Sequence, residues 1–81
     1  MVQRFPKDEV LPGRYRHYKN GDINVVLGVA LHTEVDYKLV IYYREDDTKK
    51  KLFARPIQMF LEEVLFKGNS VKRYERVADA P

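Results

Sequence analysis

The chain has 81 residues, enough for one small domain with a single hydrophobic core of modest stability. Hydrophobic residues at 44% against 33% charged mark a globular chain, and the absence of cysteine excludes disulfides, thiolate zinc sites and a cysteine nucleophile. The net charge of +3 is segmented, with five Lys/Arg against two acids in 1–19, two against six in 20–47, and four against two in both 48–66 and 67–81, which permits a modest basic face and no more.

Residues 1–11 mix charges with Pro6 and show no sustained period, so a loosely held N-terminal arm is expected there. They contain no apolar leader, and the longest apolar run, 25–31, is too short to span a bilayer. Secretion and membrane insertion are not expected; a cytoplasmic location is.

The folded part starts near Pro12 and Gly13. Arg14, Arg16 and Tyr18 alternate with Tyr15 and His17, which is strand spacing, and Lys19-Asn20-Gly21-Asp22 supplies a turn. From Ile23 the odd positions Ile23, Val25, Leu27, Val29 and Leu31 are all apolar, which predicts that they form the buried face of a second strand. Gly28 inside that strand suggests a bulge or a close backbone approach.

After a polar turn at 33–37, the run 39–43 is β-branched and aromatic on both faces, as in a central strand. Asp46-Asp47-Thr48 marks a turn, with Lys49, Lys50 and Lys51 as a solvated tip. Residues 51–55 read as a fourth strand, stopped by Pro56. A single helical turn over 56–60, from Pro56 to Phe60, and a strand over 61–66 are expected, with a longer helix as the alternative. Lys67-Gly68-Asn69-Ser70 is a hairpin turn, residues 71–77 return as a last strand, and 78–81 form a disordered tail. The sum is mainly β: a small, partly open barrel of five to six antiparallel strands in one domain over 12–77.

Several strings stand out in order: Pro12-Gly13-Arg14-Tyr15-Arg16-His17-Tyr18-Lys19, Val26-Leu27-Gly28-Val29-Ala30, His32-Thr33-Glu34, Leu39-Val40, Arg55-Pro56, Met59-Phe60 and Glu62. In these the chain resembles the bacterial domain of unknown function 1653 family, over about residues 12 to 77. The resemblance implies an SH3-like β-barrel and assigns no function. The chain departs from the family's usual residues at Asn24 (Tyr), Phe53 (Trp) and Lys72 (Pro).

Tyr15, Arg16, His17, Tyr18 and Lys19 form the best candidate ligand string, since rings stack bases and cations hold phosphates. Alternation also explains them plainly, with Tyr15 and His17 packed inward and Arg14 and Arg16 solvated. His17 and His32, with Glu34 or Glu62, supply a two-His, one-carboxylate metal set if the fold gathers them. Without that gathering each is a histidine hydrogen-bonded beside the sheet. Arg55 and Glu62 flank the helical turn and are expected to pair, or Arg55 to grip an anion. Glu62 and Glu63 are adjacent strand residues on opposite faces, unsuited to share a proton.

No nucleophile elbow, phosphate loop or dinucleotide fingerprint is present, so no cofactor is expected. The sequence therefore points to a non-catalytic binding module for a protein, a peptide or single-stranded nucleic acid. Its groove is expected to be lined by Tyr15, Tyr18, Tyr42, Phe53 and Tyr74. Nucleic acid would engage Arg14, Arg16, Lys19, Arg73 and Arg76. A small enzyme or metal protein on His17, His32 and Glu62 is the alternative. A monomer or a weak homodimer using an open sheet edge fits either.

Overall fold

Turn chemistry sets the first hairpin. Asn20 accepts from the backbone N–H of Asp22 (3.0 Å), Gly21 takes φ 77°, and the His17 N–H donates to the Asp22 carbonyl (2.9 Å). In the computed structural model, which describes residues 9–78, the elements are β1 (Gly13–His17), β2 (Ile23–Leu31), β3 (Lys38–Arg44), β4 (Phe53–Pro56), α1 (Ile57–Phe60), β5 (Glu63–Phe66), β6 (Asn69–Lys72) and β7 (Tyr74–Arg76). Five strands form an antiparallel sheet in the order β4-β3-β2-β1-β7, and β5-β6 is a separate hairpin. The sheet is open, with β4 and β7 at its edges. No helix among the described residues is long and apolar enough to cross a membrane.

The extended run expected over 71–77 is divided at Arg73, so the five to six expected strands resolve into seven. The Arg73 N–H donates to the Glu62 carbonyl (2.9 Å), and its own carbonyl accepts from Tyr18 (3.0 Å). One residue thus passes the chain from the β5-β6 hairpin to the edge of the large sheet. Lys67 and Gly68 both have positive φ, 53° and 82°, the two-residue turn whose twist suits a tight hairpin. Asp47 closes the 47–51 turn by accepting from the N–H groups of Lys49 and Lys51.

The buried face of β2 is not the one the alternation predicts. Val26 is 2% exposed, whereas Leu27 is 52% and Leu31 66% exposed. The register against β3 runs Val26↔Tyr42 and then Gly28↔Ile41, so Leu27 is an extra residue that reverses the parity. The inner face therefore reads Asn24 and Val26 before the bulge and Val29 after it, opposite Tyr42 and Val40. With apolar residues on both faces, alternation could not choose between them. Gly28 marks the bulge but not a close approach, because a Cβ there would meet no atom within 4 Å.

Val10, Tyr15, Val26, Val40, Tyr42, Ile57, Phe60 and Tyr74 make the core. Val10 belongs to it, against the expectation of a loose arm; the Tyr15 hydroxyl donates to the Leu11 carbonyl (2.8 Å) and ties that segment down. The rest of the expected arm, residues 1–8, and residues 79–81 of the expected tail lie outside the described residues. Pro56 ends β4 and caps α1, a single turn that presents Ile57 and Phe60 to the core.

Two glycine substitutions separate backbone need from bulge. Gly13 has φ 142°, and a Cβ there would lie 2.7 Å from Nη2 of Arg76, which itself donates to the Pro12 carbonyl (2.7 Å). In chemical denaturation, Gly13→Ala is expected to cost more than about 1 kcal/mol, while Gly28→Ala is neutral or stabilises by about 0.4–1 kcal/mol. Equal effects at the two positions would contradict this account.

Candidate functional site

Alternation along β1 sends Tyr15 and His17 to the inner face and Arg14 and Arg16 outward. Tyr15 is a core residue, meeting Phe60 edge-on at 5.4 Å. Arg14 makes an ion pair with Glu45 (2.7 Å). His17, near the strand's end, is half-buried between Tyr74 (5.1 Å) and Tyr18 (4.9 Å), and Tyr18 in turn meets the ring of Phe66 at 5.3 Å. A row of rings thus runs from the core to the β5-β6 hairpin.

Along this row lies a groove of about 490 Å³ between β1, β7 and the β5-β6 hairpin, lined by Arg16, His17, Tyr18, Phe66, Lys72 and Glu75. Three of the five residues of the candidate string line it; Lys19 is exposed beside it and Tyr15 is buried away from it. Phe66, Lys72 and Glu75 were missed in the sequence. The Lys67-Gly68 turn foretells the hairpin that carries Phe66 and Lys72, while Glu75 lies on β7; the passage between them runs through Arg73 and its bonds to Glu62.

The Lys19 N–H donates to Nδ1 of His17 (3.2 Å), which assigns the proton of the neutral ring to Nε2. Burial, and then the positive charges of Arg73 and Arg55, hold His17 below its ordinary 6.5. It is a neutral donor near pH 7, not a fixed cation.

Arg55 and Glu62 do not pair. Glu62 accepts from Arg73 (2.9 Å), the side chain that follows from the backbone bond between the same two residues. Arg55 instead faces Tyr42 and Tyr74. Hydrogen bonding to Tyr42, outweighing burial, pushes its guanidinium above the ordinary range, and its Nε has no partner among the described residues. Burial, then the hydrogen bond with Tyr42, raises Tyr74 to about 12. Glu63 accepts from the Ser70 hydroxyl (2.9 Å), so the adjacent glutamates serve different partners.

The set His17, His32, Glu62 is not assembled. His17 lies beside the start of β2 and His32 follows its end, a separation of about 30 Å for nine residues of strand. His32 shapes its own loop, Nδ1 accepting from the N–H groups of Glu34 (3.0 Å) and Val35 (3.3 Å) with its ring against Tyr37. Glu34 therefore belongs to that distant loop, through its backbone. Among the described residues no three His, Asp or Glu side chains are grouped to hold a metal. Of the cations expected to meet phosphates, Arg14 and Arg73 are held by carboxylates and Arg76 by the Pro12 carbonyl, which leaves Arg16 and Lys19.

His17 gives this site a pH signature. The unfolded chain takes up a proton near 6.5 that the folded site resists, so stability falls as pH drops from about 6.5 through the depressed value. An NMR titration is expected to place the His17 midpoint below 6.5, and His17→Gln to remove its share of the acid-side loss. A midpoint at or above 6.5 would contradict the described environment.

The family described as "Protein of unknown function (DUF1653)" matches residues 13–76. A crystal structure of a protein belonging to DUF1653 from Bordetella bronchiseptica is similar, with a TM-score of 0.78 and 29% identity over 93% of this chain and 96% of that one. Comparison with curated proteins gives no match. The family match runs from the first residue of β1 to the last of β7, and the chain belongs to the DUF1653 family.

Proposed function

We propose that this domain is a non-catalytic binding module that holds single-stranded nucleic acid along the groove between β1 and the β5-β6 hairpin. The carrying observation is the pairing of aromatic floor with uncompensated cations. His17, Tyr18 and Phe66 line the groove with aromatic rings, and a base stacked on such a ring is worth about 1–3 kcal/mol. Arg16 and Lys72 stand at the groove, Lys67 lies over Phe66 at 5.3 Å, and Lys19 is adjacent. None of these four forms an ion pair with a described residue, whereas Arg14, Arg44 and Arg73 are all matched to carboxylates. Only Glu75 opposes them within the groove.

Neutral His17 adds a hydrogen-bond donor without fixed charge. The volume, about 490 Å³, falls within the about 300–1,000 Å³ of small-molecule pockets, and the groove is open enough for a chain to pass. We read the open sheet with its docked hairpin as SH3-like, one domain over 12–77 extended by Val10, acting in the cytoplasm.

Fluorescence anisotropy with a labelled short single-stranded DNA tests this. Affinity is expected to fall steeply with salt, and Arg16→Glu to weaken binding and flatten the slope of log K against log salt by about 0.7 for each phosphate that the variant no longer neutralises. Binding of a proline-rich peptide instead, insensitive to salt and to Arg16→Glu but abolished in Tyr18→Ala, would replace nucleic acid with a peptide ligand.

A further inference from the structure

Arg16 on β1 and Glu75 on β7 are Cα partners in the large sheet, both exposed and both lining the groove. Opposite charges set directly across two antiparallel strands ordinarily stabilise a sheet by pairing. Here they do not close on each other, and neither side chain forms an ion pair or hydrogen bond with a described residue. Other carboxylates around the sheet and the hairpin are occupied: Glu45 by Arg14, Asp22 and Asp46 by Arg44, Glu62 by Arg73 and Glu63 by Ser70. Glu75 stands free, and it is the one acid lining a groove of rings and cations.

A free carboxylate in that place repels each phosphate that Arg16 and Lys72 attract, so it weakens the hold on a strand unless a base answers it. An ionised carboxylate only accepts, through two oxygens side by side. Among the bases, guanine alone sets two donors next to each other on its Watson–Crick edge, N1–H and the N2 amino group. Adenine meets a carboxylate there with the lone pair of N1, cytosine offers one amino donor beside the acceptor N3, and thymine or uracil offers one N–H between two carbonyls. The remaining polar edge of guanine, O6 and N7, is the one that an arginine fork matches, and Arg16 is the neighbour of Glu75 in the register.

We infer that Glu75 and Arg16 together read one unpaired guanine in the groove, Glu75 accepting from N1–H and the N2 amino group and Arg16 donating to O6 and N7. The inference rests on the strand-binding reading and adds a base preference to it. His17, Tyr18 and Phe66 hold bases of any kind by stacking, whereas the Arg16–Glu75 pair chooses among them.

Fluorescence anisotropy at one low salt concentration, with short thymidine strands carrying a single central guanine, hypoxanthine or adenine, tests the preference. The guanine strand is expected to bind about tenfold tighter than the adenine strand, with hypoxanthine, which lacks the N2 amino group, in between. Glu75→Gln is expected to level guanine with adenine and to tighten the all-thymidine strand, a gain that a merely structural glutamate would not give. Glu75 is exposed on an edge strand, so the variant is expected to keep its melting temperature. Equal binding of the guanine and adenine strands, or a preference unchanged in Glu75→Gln, would overturn the inference and keep the groove; the hypoxanthine strand needs no variant. Failure of every strand to bind would withdraw the groove and the inference with it.

Discussion

Phe60 lies flat on Tyr74, ring centroids 4.1 Å apart and planes within 2°, and meets the edge of Tyr15 at 5.4 Å. Stacked and edge-on pairs of this kind add about 0.5–1.5 kcal/mol beyond the area they bury. The turn that carries Phe60 has four residues, far too few to be helical alone, so it exists through this packing. Its effect reaches the site. Tyr74 pinned on one face presents its other contacts to His17, Tyr42 and Arg55, and His17 lines the groove.

Charge is arranged by the same skeleton. The acids of the middle of the chain are used locally, Glu45 on Arg14 and both Asp22 and Asp46 on Arg44, while Glu62 takes Arg73 at the passage between the two sheets. Exposed pairs of this sort contribute about 0–1 kcal/mol each, so their larger consequence is spatial. They neutralise Arg14, Arg44 and Arg73, while Arg16, Lys19, Lys67 and Lys72 near the groove form no ion pair with a described residue. Arg55 faces the hydroxyls of Tyr42 and Tyr74 rather than a carboxylate.

What was legible in the sequence was local. Asn20-Gly21, Lys67-Gly68 and Pro56 carry their turn and cap geometry in their own backbone preferences, and the mainly β character followed from them and from alternation. The core face of β2 was not legible, because the odd positions Ile23, Val25 and Leu27 are together more apolar than Asn24 and Val26, which are buried, and the bulge at Leu27 then reverses the parity beyond it. His17 and Tyr18 were recognised as site residues from composition. Phe66 and Lys72 were not, since a phenylalanine and a lysine acquire meaning only when a distant hairpin docks. Arg55 and Glu62, seven positions apart across a turn, looked like partners, yet Glu62 is taken by Arg73.

The central claim is that one face, from His17 along Tyr18 to Phe66 and Lys72, is where a single strand lies. Amide chemical-shift mapping with a short single-stranded oligonucleotide tests it most directly. The expected result is a contiguous set of shifts at 16–19, 66–72 and 75, with the 32–37 loop and α1 unmoved. Shifts centred on His32 and Glu34, or none anywhere on the described surface, would contradict it.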